Sequence, residues 1–278
     1  MRFSTLLKPV SNAGSVGRVA VIALCVAASA LSLPSFAAGA NAAKPTVVLV
    51  HGAFADSSSW NGVISRLTKE GYTVVAAANP LRSLKGDASA VSDVIKSVKG
   101  PVVLVGHSYG GAVISDAAVG NDNVKALVYV AAFAPEAGES GATLAGKFPG
   151  STLGPTLAPP VPLEGGGKDL YILQNKFPAQ FAADVPVAQA ILMAVAQRPV
   201  TEAALNEASG AVAWNTVPSW FIYGSADKNI PPAAQTFMAE RAHAKKVVAV
   251  KGASHVVMIS HPDAVAKIIE DAAVATAQ

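Results

Sequence analysis

Residues 101–111 read PVVLVGHSYGG, an unbroken apolar run that drives into Gly-His-Ser-Tyr-Gly and a further glycine. A run of that kind suits a strand buried on both faces, and the following AVISDAAV has apolar positions suited to a helix packed on a sheet. Between them stands the pattern G-x-S-x-G. In a strained strand-to-helix turn of this type the serine hydroxyl is pushed into the open, and flanking glycines leave room where a β-carbon would collide with neighbouring backbone. Gly106 and Gly110 hold those flanking positions around Ser108.

The same alternation recurs along the chain. Strand signals fall at residues 46–50, 73–77, 101–105, 124–131, 218–223 and 246–250, and helical patterns at 58–70, 86–98, 108–119, 232–242 and 262–274. Strands separated by helices imply an α/β fold, a mostly parallel sheet of about six strands with helices on both faces. The rhythm breaks at about residues 135–217, rich in Gly, Pro and Ala, with helical material near 177–181 and 187–197. An insertion this long in a compact domain is read as a cap over a site. The alternative is a disordered linker, against which the apolar residues of KDLYILQNKF and VAQAILMAVAQ argue.

Residues 1–37 read as a secretory signal peptide: Arg2, Lys8 and Arg18 precede an apolar stretch that ends in small residues. The alternative is an uncleaved anchor over residues 19–40. With cleavage, a single α/β domain over residues 38–278 acts after export, in the periplasm or the medium. The leader takes three of the 21 basic residues and no acidic one, so 18 Lys and Arg face 18 Asp and Glu. That balance argues against nucleic acid or an anionic membrane surface as partner. Cys25, the only cysteine, leaves with the leader, so disulfides are excluded and no Cys/His zinc spacing remains.

A serine nucleophile needs a base, an acid to orient it and donors for the oxyanion. His255 follows the last strand, at the carboxyl edge where open α/β sheets bind ligands, and is the candidate base. His51 ends the first strand, His107 lies inside the turn pointing away from Ser108, and His243 and His261 read as surface or capping residues. Asp227, after PSWFIYG, is the candidate acid, with Glu136 as its rival. The order Ser108, Asp227, His255 is that of the elbow-type triad. Oxyanion donors are expected at the backbone N–H of Tyr109 and of Ala53, with Phe54 next after Ala53. Phe54, Tyr109, Phe133 and Met193 are candidate pocket residues. No metal or other cofactor is implied.

From residue 45 onward the motifs HGAFADSSSW, VVLVGHSYGG, VKALVYVAAFAP, IPPAAQTFMAER and SHVVMISHPDAV resemble the α/β-hydrolase superfamily. Within it the chain is similar to small bacterial esterase-like hydrolases, and through them to plant methylesterases and hydroxynitrile lyases. The resemblance implies a serine hydrolase acting on a small or medium carboxylic ester, with lactonase, thioesterase or amidase action as alternatives on the same triad. Hydroxynitrile lyases of this type carry a threonine after the first-strand histidine and a lysine after the catalytic one. Gly52 and Val256 stand there instead, which favours ester hydrolysis. A non-catalytic ligand-binding protein on the same scaffold is the remaining alternative.

Overall fold

The computed structural model describes residues 44–277. The signal peptide expected over residues 1–37, and the alternative anchor over residues 19–40, lie outside the described residues. Among the described residues no helix is long and apolar enough to cross a membrane.

The chain opens with β1 (Thr46–Val50), a 3-10 turn (Ser57–Trp60) and α1 (Asn61–Lys69), then β2 (Val74–Ala77), α2 (Leu84–Ser97), β3 (Val102–His107), α3 (Tyr109–Ala117) and β4 (Val124–Val130). After β4 it leaves the sheet for an insert: α4 (Gly141–Lys147), β5 (Val161–Pro162), β6 (Lys168–Leu170), α5 (Phe177–Phe181), α6 (Val187–Ala196), β7 (Val200–Thr201) and α7 (Glu202–Asn206). It returns through β8 (Ser219–Gly224), α8 (Pro232–Arg241), β9 (Lys246–Val250), α9 (Val257–Ser260) and α10 (Pro262–Ala275).

Six strands form one sheet in the order β2-β1-β3-β4-β8-β9, every pair parallel. The apolar runs explain the order. β3 and β8 are buried at every residue, as strands covered on both faces must be, whereas the edge strand β9 exposes Lys246 and Val247. Helices cover both faces. α1 and α10 pack together, with α10 against β3, β4 and β8; α2 and α3 form a second pair, with α3 against β1, β3 and β4.

Local signals set the helix limits. Ser83 accepts from Gly86 N–H at 3.1 Å and caps α2, which then buries Leu84, Ala88, Val91 and Ile95 at helical spacing. Asp56 accepts from Ser58 N–H at 2.7 Å and starts the turn into α1, whose buried side is Val63 and Leu67. Pro262 occupies the first turn of α10, where its missing N–H has no intrahelical partner to lose.

The insert is folded. β5, β6 and β7 form a small antiparallel sheet, and Gln197 clamps Ile172 by accepting from its N–H and donating to its carbonyl, both at 2.8 Å. α6 is loosely seated. It buries only Ala190 and Ala194, while Val187, Ile191, Leu192 and Val195 face outward.

Candidate active site

β3 runs two residues further than its apolar pattern, pairing with β4 as far as His107, and the helix begins at Tyr109. Ser108 alone makes the turn, with φ 54° and ψ −124°, a backbone conformation rare for a residue with a side chain. The backbone around it is pinned: Ser108 N–H donates to Val130 O at 3.3 Å, and its own carbonyl accepts from Gly111 and Phe133 N–H. The flanking glycines are required by contact. A β-carbon on Gly106 would lie 2.5 Å from Gly110 O, and one on Gly110 would lie 2.6 Å from Val50 O.

His255 stands in the loop after β9, and its Nε2 is 2.9 Å from Ser108 Oγ. Its Nδ1 is 2.8 Å from Asp227 Oδ2, in the loop after β8. Because a carboxylate only accepts, Nδ1 carries the proton and Nε2 is left to accept from the serine hydroxyl. All three side chains are buried. Asp227 is held from four sides: Oδ1 accepts from Asn229 and Ile230 N–H at 2.8 and 3.0 Å, and Oδ2 accepts from Gln235 Nε2 at 2.9 Å besides His255. The structure thus brings Ser108, Asp227 and His255 together. Glu136 lies elsewhere, exposed and paired with Arg241 Nη1 at 3.4 Å.

The N–H groups of Ala53 and Tyr109 have no acceptor among the described residues, and both residues line the cavity at Ser108. Phe54 is a correction to the expected donor set. Its N–H donates to Arg198 O at 3.0 Å, in the segment after α6, and so is already committed. Its side chain does line the cavity, as Phe133 does.

That cavity is small, about 140 Å3, and almost wholly apolar, with Leu153, Phe181, Leu205 and Ile230 among its walls. Met193 is not one of them. It belongs to a neighbouring cavity, because α6 turns only Ala190 and Ala194 inward and carries Met193 on its flank.

Two of the other histidines are explained by structure. His51 Nδ1–H donates to Gly52 O at 3.0 Å and Nε2 accepts from Asn79 N–H at 3.1 Å, tying the end of β1 to the loop after β2. Burial holds its pKa below the usual imidazole value. His107 Nε2–H donates to His255 O at 3.2 Å, so it supports the base through the backbone. Burial, followed by the neighbouring His255, pushes its pKa well down, so His107 is neutral.

Several supports of the site escaped sequence reasoning. Gln235, one turn into α8, and Asn229 brace Asp227, and Gln180 of α5 binds Asn229 Oδ1 at 3.0 Å, so the insert grips the acid loop. Asp184 of the insert binds Ser254 Oγ, next to His255. Tyr109 donates its hydroxyl to Asp87 Oδ2 at 2.9 Å. Burial, then the Asp87 charge, raises the tyrosine pKa, and burial raises that of Asp87. Nothing in the sequence singles out Gln235, Asn229, Gln180, Asp184 or Asp87, or gives the Tyr109 hydroxyl this partner, since most of these contacts join segments well apart in the chain.

The family model described as "Alpha/beta hydrolase family" matches residues 47–268. An alpha/beta hydrolase, nvfD, of Aspergillus novofumigatus is 26% identical over 253 residues, covering 83% of this chain and 97% of that protein. A carbendazim hydrolyzing esterase of a Nocardioides species is 34% identical over 106 residues, 34% of this chain and 44% of that one. Among solved structures, polyneuridine aldehyde esterase superposes with a TM-score of 0.70 at 21% identity, covering 82% of this chain and 99% of that one.

Proposed function

The chain belongs to the alpha/beta hydrolase family, and on that premise we propose that it is a serine hydrolase cleaving a small or medium carboxylic ester through an acyl-enzyme on Ser108. One observation carries the reading: His255 lies within hydrogen-bonding distance of both Ser108 and Asp227, in an apolar chamber with two uncommitted N–H groups. The esterase and hydrolase names of the relatives agree with it.

The steps follow from the geometry. His255 Nε2 takes the Ser108 proton as Oγ attacks the ester carbonyl, and Asp227 stabilises the imidazolium through Nδ1. The developing oxyanion accepts from Ala53 and Tyr109 N–H; one such donor is typically worth about 2.7 to 4 kcal/mol of barrier. His255 then gives its proton to the departing alcohol oxygen. A water, deprotonated by the same nitrogen, attacks the acyl-enzyme and releases the acid and free Ser108.

Gly52 supports hydrolysis over cyanohydrin cleavage. The threonine that a lyase carries there has no room, since a β-carbon would lie 2.6 Å from Ser108 Cβ and 2.7 Å from His107 O. Export of the enzyme, from the leader pattern of residues 1–37, is part of the same proposal and is checked by N-terminal sequencing of the secreted protein.

The test is labelling with a fluorophosphonate beside steady-state hydrolysis of p-nitrophenyl acetate. Wild type is expected to label at Ser108, and Ser108→Ala to lose labelling and at least about 10^4-fold in kcat. An unlabelled wild type, or a Ser108→Ala variant that keeps most of its turnover, overturns the proposal and leaves a ligand-binding role.

A further inference from the structure

The chamber at Ser108 has a neighbour across one side chain. A second cavity of about 370 Å3 lies between α6 and the segment from Phe54 into α1, and Phe54 is part of both walls. The two differ in chemistry. The inner chamber is apolar, whereas the outer one mixes Asp56, Ser59, Asn61 and Gln189 with Leu192 and Met193, and among the described residues no Lys, Arg or His lines it.

Phe54 is placed to divide them. Its ring stands edge-on to Phe181, centroids 6.1 Å apart, and Phe181 in turn lies against the His255 ring at 5.0 Å. The dividing wall is therefore on the histidine side of the chamber. The Phe54 backbone is also held, with φ 61° and its N–H bound to Arg198 O, just beyond the helix that walls the outer cavity.

In ester cleavage the group that leaves is the one whose oxygen receives the His255 proton, so the alcohol departs on the histidine side. We propose that the outer cavity is the alcohol subsite, that the inner chamber holds a compact apolar acyl group, and that Phe54 sets which end of the substrate goes where. The inference rests on the serine-hydrolase reading above. The one movement it requires is a rotation of the Phe54 ring to let the ester pass. The alcohol it selects is bulky and amphipathic, and neutral or cationic, because Asp56 sits in a wall without a basic side chain.

Two graded series test it in the full chain: acetates of ethanol, benzyl alcohol and 2-naphthol, and 2-naphthyl esters of acetate, butyrate and octanoate. Wild type is expected to accept growth of the alcohol but to lose at least tenfold in kcat/KM from acetate to octanoate. Phe54→Ala, which joins the cavities, should raise octanoate relative to acetate at least tenfold. Met193→Trp, on the partly exposed flank of α6, should lower 2-naphthyl acetate relative to ethyl acetate at least tenfold by filling the outer cavity. A sulfonate on the naphthol should also weaken the wild-type reaction.

A folded Phe54→Ala with an unchanged acyl profile overturns the proposal, and so does a Met193→Trp that lowers both acetates equally. Should Phe54→Ala fail to fold, Met193→Trp decides alone. Fluorophosphonate labelling of wild-type Ser108 separates the two levels: labelling with unmoved profiles removes only the subsite assignment, and no labelling removes the hydrolase reading as well.

Discussion

Gln235→Leu is the sharpest probe of how the acid is held. Gln235 is fully buried and spends its amide N–H groups on Asp227 Oδ2 at 2.9 Å and Ile230 O at 3.0 Å. Leucine fills nearly the same space without donors. A hydrogen bond to a charged group contributes about 1.5 to 3 kcal/mol, and the Ile230 carbonyl loses a partner in a buried place. Stability should fall by about 2 to 4 kcal/mol, read by urea denaturation. The effect on rate should be smaller, because Oδ1 keeps the N–H groups of Asn229 and Ile230 and the carboxylate stays in place. At most about 2 kcal/mol reaches the barrier, roughly 30-fold in kcat, with KM unchanged since Gln235 does not line the chamber. Asp227→Asn is the reference, at about 10^4-fold. A Gln235→Leu variant within twofold of wild type in kcat and with an unchanged urea midpoint would refute the reasoning.

Gly110→Ala should cost about 3 kcal/mol or more, since the new β-carbon would meet the carbonyl oxygens of Val50 and His51 at 2.6 and 2.9 Å and backbone at the end of β1 cannot yield; a Tm within a degree of wild type would count against the close-approach account. Burial raises the pKa of Asp87, so the folded state holds that proton more tightly than the unfolded chain does. On this sign, stability from Asp87 is full below the unfolded carboxylate pKa of about 4 and is lost as pH rises through the folded value. Asp87→Asn should therefore gain on wild type between pH 3 and pH 7 in urea midpoints, and a constant difference across that range would show that the carboxylate pays no burial penalty.

The sheet was legible because burial on both faces writes itself as unbroken apolar runs. β1 and β9 fall on the residues that their patterns mark, and β3 overruns its pattern because Gly106 and His107 go on pairing with β4 until Ser108 turns away. The insert was only half legible. α5 and α6 show helical composition, but β5, β6 and β7 have two or three residues each, too short for any alternation to register. The positions of Ser108, Asp227 and His255 could be read because each follows a strand at its carboxyl end, where a parallel sheet gathers its loops. Phe54 could be read from sequence as a wall of the pocket, but its unfitness as a donor could not, since what binds its N–H is a carbonyl more than a hundred residues away. Met193 was misplaced for a related reason: apolar composition in α6 does not say which side the insert presents inward.

Strain connects these particulars. Phe54, Ser108 and Ala131 follow β1, β3 and β4, and all three have positive φ, at 61°, 54° and 45°. A side chain in such a conformation costs about 1 to 3 kcal/mol, so the three together take a substantial part of the 5 to 15 kcal/mol that stabilises a typical domain. They persist because neighbours over-determine them. Ser108 is tied to Val130 and Phe133, and Ala131 N–H to Ile222 O at 2.8 Å, all within or beside the central strands. Phe54 is the exception, since its tie to Arg198 comes from the insert. The sheet alone thus holds the turn that presents Ser108, while the wall between the two cavities depends on how the insert is seated. Substitutions that loosen α6 should accordingly disturb which esters are accepted before they disturb the geometry between Ser108 and His255.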